Sequence, residues 1–418
     1  MQNKQISVII VSFNVRPFLV NALESIKRAL NTISHEIIVI DNASADGSVQ
    51  MLKERYPDVH LIDNKKNIGF AAANNQGLIL AEGKYPVLIN PDTLVQEDTF
   101  SSLLHFMETH PRAGAVTCKI LNADGSFSVD SRHSIPSPMT AFWKQIGFSR
   151  LFPRSRRFAR YNMTFLDENE TQRIDAISGS FMFIRSKAAK EVGLLDEDYF
   201  MYCEDVDYCY RIGRADWEIY YIPVSCLIHY KGESTRKNDY RYALNFNRSL
   251  YLFYNKHFHI KYFPFFKGLI LSGVFLRGLW IYIKNSMHAF LGFLVKKLLA
   301  GKKIRSKRRV LLVCTSGEAA GLSEKIRRCG INLCGLVFPS LPDTKALPAG
   351  YEIVMTLDDL TDGKVLKKFD EIIFSAEKIS YKKIISTIAN PALRQKECRI
   401  IPPHSDLIIG KSSVSYMQ

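Results

Sequence analysis

The stretch ISVIIVSFNVRPFLVNALESIKRALNTISHEIIVIDNAS, residues 6–44, decides the fold class. It opens and closes with apolar, β-branched runs, and a segment with the apolar spacing of a helix lies between them. The same alternation continues through VQMLKERY, VHLIDN, GFAAANNQGLILA and PVLIN, as far as residue 90. Strands that alternate with helices predict a parallel sheet with right-handed crossovers.

The alternation weakens beyond Phe127, where residues 134–162 predict a long loop with short helices. The segment WEIYYIPVSCLIHYKGES, residues 217–234, predicts two strands with a turn at Pro223. A fresh strand and helix pattern begins near residue 308, and its predicted strands are VLLVC, INLCGLVF, YEIVM, EIIFSA and CRIIPP. A second α/β unit is therefore expected in the last quarter of the chain.

Polar side chains follow the predicted strands of the first unit. Ligands of open parallel sheets bind beyond the carboxyl ends of the strands, so these side chains are expected to share one edge. They are Ser12, Asn14, Asp41, Asn42, Asn64 through Asn67, Asn90 and Asp92.

Asp41 and Asn42 end a buried strand and begin a turn. A carboxylate at this point can accept hydrogen bonds from a base N–H or from ribose hydroxyls, which predicts a nucleotide-binding role. The alternative is an Asx turn that caps the next helix. The sequence leaves both interpretations open.

Asp92, in LINPDTLV, follows a strand and is expected at the same edge. Mg²⁺ or Mn²⁺ needs only one or two protein carboxylates when substrate phosphates supply the remaining oxygens, so one aspartate is enough. The alternative is that NPD is only a turn. His229, at the end of a later strand, is a candidate metal ligand or diphosphate contact, although a lone strand-end histidine is more often structural.

The segment FMYCEDVDYCYR, residues 200–211, places Glu204, Asp205 and Asp207 within four positions. Crowded carboxylates raise one another's pKa unless a cation, a hydrogen-bond donor or a proton transfer stabilises them. The apolar spacing predicts that a helix begins here, and acids in a first turn are also explained by the helix dipole. Catalysis and capping are both open.

Seven motifs in order resemble the family 2 glycosyltransferases, in particular a rhamnosyltransferase-like branch. They are VSFN, IDNAS, NIGFAAANNQG, LINPD, GSFMFIR, FMYCEDVDYCYR and the spaced IP…HYKGES. The resemblance covers about residues 5–255. It implies a GT-A nucleotide-diphospho-sugar transferase fold, a mostly parallel sheet with flanking helices. It also implies inverting transfer of one sugar, rhamnose or another hexose, from a nucleoside diphosphate sugar.

The resemblance also assigns residues. It implies a nucleotide and donor site formed by Ser12, Asn14, Asp41, Asn42, Asn67, Gly69, Asn74 and Asn90. Asp92 matches the last acid of the metal-binding D-x-D motif, whereas Asn90 stands where many members have the first aspartate. Asp205 matches the acid that looks like the catalytic base, with Glu204 as the alternative base. A divalent metal, Mg²⁺ or Mn²⁺, would neutralise charge on the leaving diphosphate.

The formal charge of +15 has one source, because fifteen Lys and Arg and no acid lie between Tyr240 and Gly317. Apolar runs interleave with these charges, which favours a membrane surface and disfavours nucleic acid as the partner. Five basic residues share one arc of a helical wheel, as an interfacial helix requires: Lys267, Arg277, Lys284, His288 and Lys296. No charge-free run reaches the roughly 18 residues of a membrane span. An in-plane or re-entrant anchor is predicted, and a helical hairpin between two domains is the alternative.

Three parts are therefore expected. Residues 1–258 would be the GT-A domain, 259–303 a basic membrane-associating helical segment, and 304–418 a small Rossmann-like domain of uncertain role. The first turn of the last part, CTSGEAAG, lacks G-x-G-x-x-G, so tight dinucleotide binding is not expected. Eight cysteines without a CxxC pair and the lack of a signal sequence indicate reduced thiols in the cytoplasm. The expected location is the inner face of the cell membrane, with a lipid-linked or cell-surface glycan as acceptor.

The sequence disfavours two rival functions and leaves a third as the alternative. A nucleotidyltransferase would need a Gly-rich, basic loop after the first strand, and VSFNVRPF is neither. Glycoside hydrolysis needs two opposed carboxyl groups, which no motif marks. The remaining alternative is a catalytically weak scaffold or binding protein in a membrane polysaccharide-assembly complex.

Overall fold

Two α/β sheets make up the described part of this protein. The structure is a computed structural model, and it describes residues 4–231, 240–258, 268, 286–287, 308–340, 351, 353–411 and 413–417. Within these ranges nine strands form the first sheet and seven form the second. No disulfide joins the cysteines in these ranges.

The first sheet occupies the N-terminal part of the chain. Its elements and a small ribbon beside it are β1 (Ile6–Ser12), β2 (His35–Asp41), β3 (His60–Asp63), β4 (Tyr85–Ile89), β5 (Thr93–Val95), β6 (Ala113–Asn122), β7 (Arg132–His133), β8 (Gln172–Arg173), β9 (Ala176–Ile177), β10 (Phe181–Ile184) and β11 (Glu218–His229). The strand order is β3-β2-β1-β4-β10-β6-β11-β5, β8 pairs with β11, and β7 and β9 form the separate ribbon. Strands β1 to β4 pair in parallel, as do β6 and β11, whereas β10 and β5 are antiparallel to their neighbours.

Helices cover both faces of this sheet. They are α1 (Arg16–Ala29), α2 (Ser48–Arg55), α3 (Phe70–Leu80), α4 (Thr99–Thr109), α5 (Pro138–Gln145), α6 (Phe148–Leu151), α7 (Ser186–Val192), α8 (Glu204–Arg214) and α9 (Tyr240–His257). One core contains Leu23 of α1 and Phe100 of α4, and the other contains Ala73 of α3 and Ile212 of α8. Because both faces are covered, all seven residues of β1 are buried.

Strand β11 differs from its prediction. The sequence predicted two strands with a turn at Pro223, and this is wrong, because one strand runs from Glu218 to His229. The pairing with β6 shifts register between Ile222 and Cys226 and then continues. Proline has no N–H for the ladder, so the chain bulges around it without turning back.

The second sheet lies in the C-terminal part. Its elements are β12 (Arg309–Val313), α10 (Ser316–Arg328), β13 (Asn332–Phe338), β14 (Ile353–Thr356), α11 (Gly363–Leu366), β15 (Glu371–Ser375), α12 (Tyr381–Ile388), β16 (Glu397–Ile401), β17 (Leu407–Gly410) and β18 (Ser413–Tyr416). The order is β14-β13-β12-β15-β16-β17-β18, with the first five strands parallel and the last two antiparallel. The sequence pattern predicted the five parallel strands, but not β17 or β18.

The predicted membrane-associating segment, 259–303, lies outside the described residues apart from positions 268, 286 and 287. Among the residues that are described, no helix combines the length and hydropathy needed to cross a bilayer.

Helix α12 of the second sheet packs against the first sheet. The Glu97 carboxylate accepts the backbone N–H of Tyr381 at 2.6 Å and of Lys382 at 2.8 Å, so a negative charge faces the helix N-terminus. A shared buried cluster includes Leu94 and Tyr230 from the first sheet and Ile384 from α12. The second sheet therefore packs behind the strand pair β5 and β11.

Substitution of a glycine in the turn after β6 tests the contact between α12 and the first sheet. Gly125 has φ +74°, and a Cβ placed there would overlap the backbone oxygen of Ile388 in α12. We expect Gly125→Ala to lower the free energy of unfolding for two reasons. Alanine in left-handed backbone costs about 1–2 kcal/mol, and moving α12 away from the new Cβ adds a further loss. The free energy of unfolding in urea measures this loss.

Gly330→Ala is the matched control, because Gly330 has φ +76° with nothing within 4 Å of its would-be Cβ. Its free energy of unfolding should fall only by the cost of alanine in left-handed backbone. Equal losses in the two variants would show that the turn and α12 are not in contact in solution.

Candidate active site

The sheet brings several predicted residues to one edge. Ser12 and Asp41 are register partners at the ends of β1 and β2, and the Asn42 N–H donates to the Ser12 carbonyl at 2.8 Å. Asn90 follows β4, and His229 ends β11, which runs in the same direction. The Ser12 hydroxyl is buried and has no hydrogen-bond partner among the described residues.

The two carboxylate oxygens of Asp41 have different hydrogen-bonding environments. Its Oδ1 accepts the Ser44 N–H at 2.7 Å, which is the turn that the sequence allowed. Its Oδ2 is buried, and no described residue donates to it. Burial raises the pKa of Asp41, while the Ser44 hydrogen bond opposes the shift. A buried acceptor without a donor carries a free-energy cost that a ligand donor would remove.

The loops after β1 and β2 are joined to each other at the exposed Asn14. This residue has φ 53°, its N–H donates to Ser44 Oγ at 2.9 Å, and its Oδ1 accepts the Ala45 N–H at 2.8 Å. These two hydrogen bonds hold the loop after β1 against the loop after β2, next to Ser12 and Asp41.

Asn42 organises the next loop. Its Nδ2 donates to Asn67 Oδ1 at 3.0 Å and to the Gly69 carbonyl at 3.2 Å, and its Oδ1 accepts the Ile68 N–H at 3.1 Å. Asn67 Oδ1 also accepts the Gly69 N–H at 3.0 Å. These amides replace regular secondary structure in the loop that leads into α3, so their main visible role is to fix its backbone.

Gly69 is where this loop meets the segment before α8. It has φ +91°, and a Cβ there would lie 2.7 Å from the carbonyl oxygen of Phe200. The same carbonyl accepts the Phe70 N–H at 2.8 Å. Only glycine permits both the left-handed backbone and this close approach.

Two asparagines of α3 are buried. Asn74 donates to the Phe70 carbonyl at 2.9 Å, so its Nδ2 is used within the helix. Asn75, which the sequence did not single out, donates to the Leu195 carbonyl at 2.8 Å and accepts the Leu195 N–H at 2.9 Å. Asn75 therefore ties α3 to the loop that precedes α8.

Asp92 and His229 lie together at the sheet edge. Asp92 is buried in the turn after β4, and its Oδ1 is 3.0 Å from His229 Nε2. Asn90 Nδ2 lies 3.3 Å from the same nitrogen, and Asn90 Oδ1 is buried with no hydrogen-bond partner among the described residues. The Asp92 carbonyl accepts the Tyr230 N–H at 2.9 Å, which fixes the turn to β11.

These side chains fit a hard divalent cation. A carboxylate and a free amide oxygen are the ligand types that Mg²⁺ and Mn²⁺ prefer, and an imidazole nitrogen is next to them. Within the described ranges, no three His, Cys, Asp or Glu side chains form a metal cluster. A cation held here would therefore complete its coordination with substrate oxygens or water.

Asp205 lies in the first turn of α8 and is half-buried. Its Oδ2 accepts the Gly179 N–H at 2.8 Å, and its Oδ1 accepts the Val206 N–H at 2.8 Å. The neighbouring Ser180 carbonyl accepts the Asn90 N–H at 3.0 Å. One short loop thus connects the Asp205 carboxylate with the residues around Asp92.

Glu204 lies in a different environment from Asp205. It is 5% exposed, and no described residue donates to its Oε2. Burial raises the pKa of Glu204 well above its ordinary value, and the carboxylates of Asp205 and Asp207 raise it further. A raised pKa favours the protonated form, so these surroundings favour Asp205 over Glu204 as the base.

Asp207 is an ion-paired structural residue. It is 1% exposed, and its two oxygens contact Arg211 Nε at 2.8 Å and His257 Nε2 at 2.6 Å. It joins α8 to the end of α9. The helix-start interpretation is therefore correct for the position of all three acids, which form the first turn of α8.

His133 is a residue that sequence reasoning missed. It lies on β7 opposite Ala176, and its buried Nδ1 has no hydrogen-bond partner among the described residues. Burial lowers the pKa of His133, and the nearby Asp205 carboxylate opposes this shift. A two-residue strand gives no period in the sequence, so no local signal marks it.

Comparison with known proteins identifies the family. The model of glycosyl transferase family 2 matches residues 7–193. N-acetylglucosaminyl-diphospho-decaprenol L-rhamnosyltransferase of Mycobacterium tuberculosis is 30% identical over 257 residues, covering 59% of this chain and 82% of that protein. The low-salt glycan biosynthesis hexosyltransferase Agl10 of Haloferax volcanii is 26% identical, covering 59% and 74%. Rhamnosyltransferase WbbL of Escherichia coli is 25% identical, covering 55% and 84%.

The fold and the edge site thus define a nucleotide-sugar-dependent glycosyltransferase with a GT-A-like α/β fold. The chain belongs to glycosyltransferase family 2 and is similar to its rhamnosyltransferases, as the seven motifs predicted.

The protonation of Glu204 is testable through the pH dependence of stability. In the unfolded chain this carboxyl ionises above about pH 4.3, whereas burial raises its pKa in the folded protein. Its contribution to stability is therefore complete below that pH and is lost as the pH rises toward the folded-state pKa. Glu204→Gln removes this dependence.

Between about pH 5 and pH 8, we expect the wild type to lose more stability than Glu204→Gln. The extra loss of the wild type is about 1.4 kcal/mol for each pH unit of that window that lies between the unfolded-state and the folded-state pKa of Glu204. Urea unfolding at each pH measures it, with the exposed Glu170→Gln as control. Parallel pH curves for wild type and Glu204→Gln would show that Glu204 is ionised in the folded protein.

Proposed function

We propose that this enzyme transfers one sugar, rhamnose or another hexose, from a nucleoside diphosphate sugar to a hydroxyl of a lipid-linked or cell-surface glycan, with inversion at the anomeric carbon. The observation that carries the proposal is the position of Asp205. Its half-buried carboxylate is fixed by Gly179 and linked through short loops to both the Gly69 loop and the Asp92–His229 pair.

The donor's nucleotide would bind at the ends of β1 and β2. Ser12 Oγ and Asp41 Oδ2 are buried polar atoms without described partners, which base and ribose donors or acceptors would satisfy. The loop organised by Asn42 and Asn67 would border the sugar, because Gly69 connects it to the segment before α8. Asn74 supports that loop from behind through Phe70.

Asp92, His229 and the free Asn90 oxygen would hold Mg²⁺ or Mn²⁺. A bound divalent cation supplies charge neutralisation for the diphosphate as it leaves. The protein's own part is to keep the carboxylate in place, which the His229 contact and the Tyr230 hydrogen bond to the Asp92 carbonyl both do.

Asp205 would act as the base of a single displacement. The acceptor oxygen forms a bond to the anomeric carbon while the bond from that carbon to the diphosphate breaks, and the hydroxyl proton moves to Asp205. Each Asp205 oxygen accepts one backbone N–H and keeps a second lone pair for the acceptor. One base is sufficient, which agrees with the raised pKa of Glu204 and the ion pair of Asp207 with Arg211.

We also infer three parts with the bounds that the sequence suggested: 1–258, 259–303 and 304–418. The first would carry catalysis, and the second would attach the enzyme to the inner face of the cell membrane. The third would be Rossmann-like, since its parallel strands follow the order 3-2-1-4-5. In a Rossmann-like domain a phosphate would bind at the start of α10. Here the Glu318 carboxylate lies at that position and accepts hydrogen bonds from Thr315 and Ser375. This supports an assembly or regulatory role without a dinucleotide.

The base assignment predicts a large loss in Asp205→Asn. Nucleoside diphosphate release should be measured with a panel of nucleotide sugars and a lipid-linked glycan acceptor. Because Asn cannot take the proton, we expect kcat to fall by about 10² to 10⁴ with little change in donor KM.

Asp216→Asn is the control, since this residue is exposed in the turn after α8 and has φ 61°, which Asn also adopts. It should retain wild-type turnover. Wild-type turnover by Asp205→Asn would remove the base assignment, and no turnover of the wild type with any donor would favour the scaffold alternative.

The metal assignment predicts a different effect for Asp92→Asn. Losing one charged ligand should raise the metal concentration for half-maximal activity by about tenfold or more, and excess metal should restore part of kcat. A titration of Mn²⁺ and Mg²⁺ after removal of metal by a chelator measures this. An unchanged titration curve in Asp92→Asn would place the cation elsewhere or exclude its need.

A further inference from the structure

Residues Ser131–Leu166 form a lobe beside Asp205, which we call the basic lobe. This stretch holds seven Lys and Arg and no Asp or Glu, and it contains helices α5 and α6. It is separate in sequence from the basic region between Tyr240 and Gly317, although Ile135 of the lobe packs against a cluster that includes Phe253 and Tyr254 of α9. The proposed catalytic site does not use its outer surface.

The two ends of the basic lobe are tied together at its base. Arg132 is 1% exposed and donates to the carbonyls of Leu166 at 2.7 Å and Asp167 at 3.0 Å. Its guanidinium also lies 4.5 Å from the ring centre of Tyr221 on β11. The buried Arg132 therefore anchors the lobe on the sheet, and its charge is not part of the outer surface of the lobe.

A cluster of rings forms the inside of the lobe. The ring centres of Trp143 and Phe148 are 5.5 Å apart in a stacked arrangement, and Phe158 meets them edge-on at 4.9 and 5.4 Å. These rings are half-buried. They give the lobe a small apolar interior of its own, so that its outer side chains are held in place on a defined surface.

The outer surface combines apolar and cationic side chains. Large apolar side chains are exposed at Met139 (49%), Ile146 (45%), Leu151 (68%) and Phe152 (44%). The exposed cations next to them are Arg150, Arg154, Arg156, Arg157 and Arg160. Within the described part of the chain, none of these five arginines forms an ion pair, although many other basic residues do. A cluster of arginines without acids creates a positive surface potential that attracts an anionic partner.

We propose that the basic lobe docks on the surface of a bilayer that contains anionic phospholipid. The exposed apolar side chains would enter the boundary between headgroups and acyl chains, and the arginines would contact the phosphates. Single-stranded nucleic acid also binds arginines, but it needs exposed rings on which bases stack, and Phe152 is the one exposed ring among those of the lobe. The aliphatic exposure of Ile146 and Leu151 favours lipid.

This docking would also orient the catalytic site, a step that rests on the proposed function. The inner end of the lobe carries His133 and Tyr161, whose ring centres are 5.9 Å apart, and Lys144 lies 3.7 Å from the Tyr161 ring centre. The Ser131 carbonyl at the start of the lobe accepts the Ser178 N–H at 3.1 Å, and the next residue, Gly179, donates its N–H to Asp205 at 2.8 Å. A membrane under the lobe would therefore bring a lipid-linked acceptor to the side of the site where Asp205 lies.

Tryptophan quenching tests the contact at the lobe itself. The sequence has three tryptophans: Trp143 in the lobe, Trp217 just before β11, and Trp280. A protein that keeps only Trp143 (Trp217→Phe, Trp280→Phe) should lose fluorescence on vesicles of brominated phosphatidylcholine with phosphatidylglycerol. A protein that keeps only Trp217 should not, because that residue precedes β11 at the sheet edge opposite the site.

Charge removal tests the role of the arginines. We expect Arg154→Gln, Arg156→Gln and Arg157→Gln together to weaken partition into these vesicles by roughly a hundredfold, about fivefold for each arginine. The matched control removes three exposed lysines of the second sheet, Lys364→Gln, Lys367→Gln and Lys368→Gln. It should partition like the wild type.

Three results would overturn the proposal. One is vesicle binding without quenching of Trp143, which would place the membrane contact elsewhere. The second is equal partition by the arginine variant and the wild type. The third is a response of Trp143 to a single-stranded oligonucleotide but not to vesicles. None of these measurements uses sugar transfer, so they stand apart from a failure of the donor assay.

Discussion

The parallel register of β1 with β2 and β4 is the constraint on which the rest of the structure depends. It sets Ser12 opposite Asp41 and places Asn90 beyond the next strand, on the same edge. A shift of one residue would turn each of these side chains to the other face of the sheet. The register is strongly specified, because β1 is buried throughout and both faces pack against helices.

The two halves of the site are joined by backbone hydrogen bonds. The Phe70 N–H binds the Phe200 carbonyl, which ties the loop before α3 to the segment before α8. The residues 179 and 180 bind Asp205 on one side and Asn90 on the other. Backbone groups have few alternative conformations in such packed loops, so a carboxylate held this way keeps its place while substrates enter and leave. The second sheet adds support from behind, through α12 and the cluster that includes Tyr230, the neighbour of His229.

Much of this could be predicted from the sequence, for identifiable reasons. The strands of the first sheet are buried on both faces, so their apolar runs are continuous, and the rule that ligands bind at strand ends then selects Asp41, Asp92 and His229. His133 could not be found, because the ribbon that carries it exists only through tertiary pairing with Ala176. The continuity of β11 through Pro223 depends on its pairing with β6, which no local pattern shows. The difference between Glu204 and Asp205 depends on burial, which neighbouring positions in a sequence do not reveal.

That last difference explains why a basic chain gathers three carboxylates in one helical turn. Tyr202 and Cys203 both have left-handed backbone, with φ of 74° and 66°, and they set the direction in which α8 begins. From that start, neighbouring side chains point about 100° apart. Glu204 enters the core, where burial raises its pKa, Asp207 contacts Arg211 and His257, and Asp205 accepts the Gly179 N–H. The raised pKa of Glu204 and the Arg211 cation beside Asp207 both reduce the negative charge around Asp205, which suits a carboxylate proposed to accept a proton from a substrate.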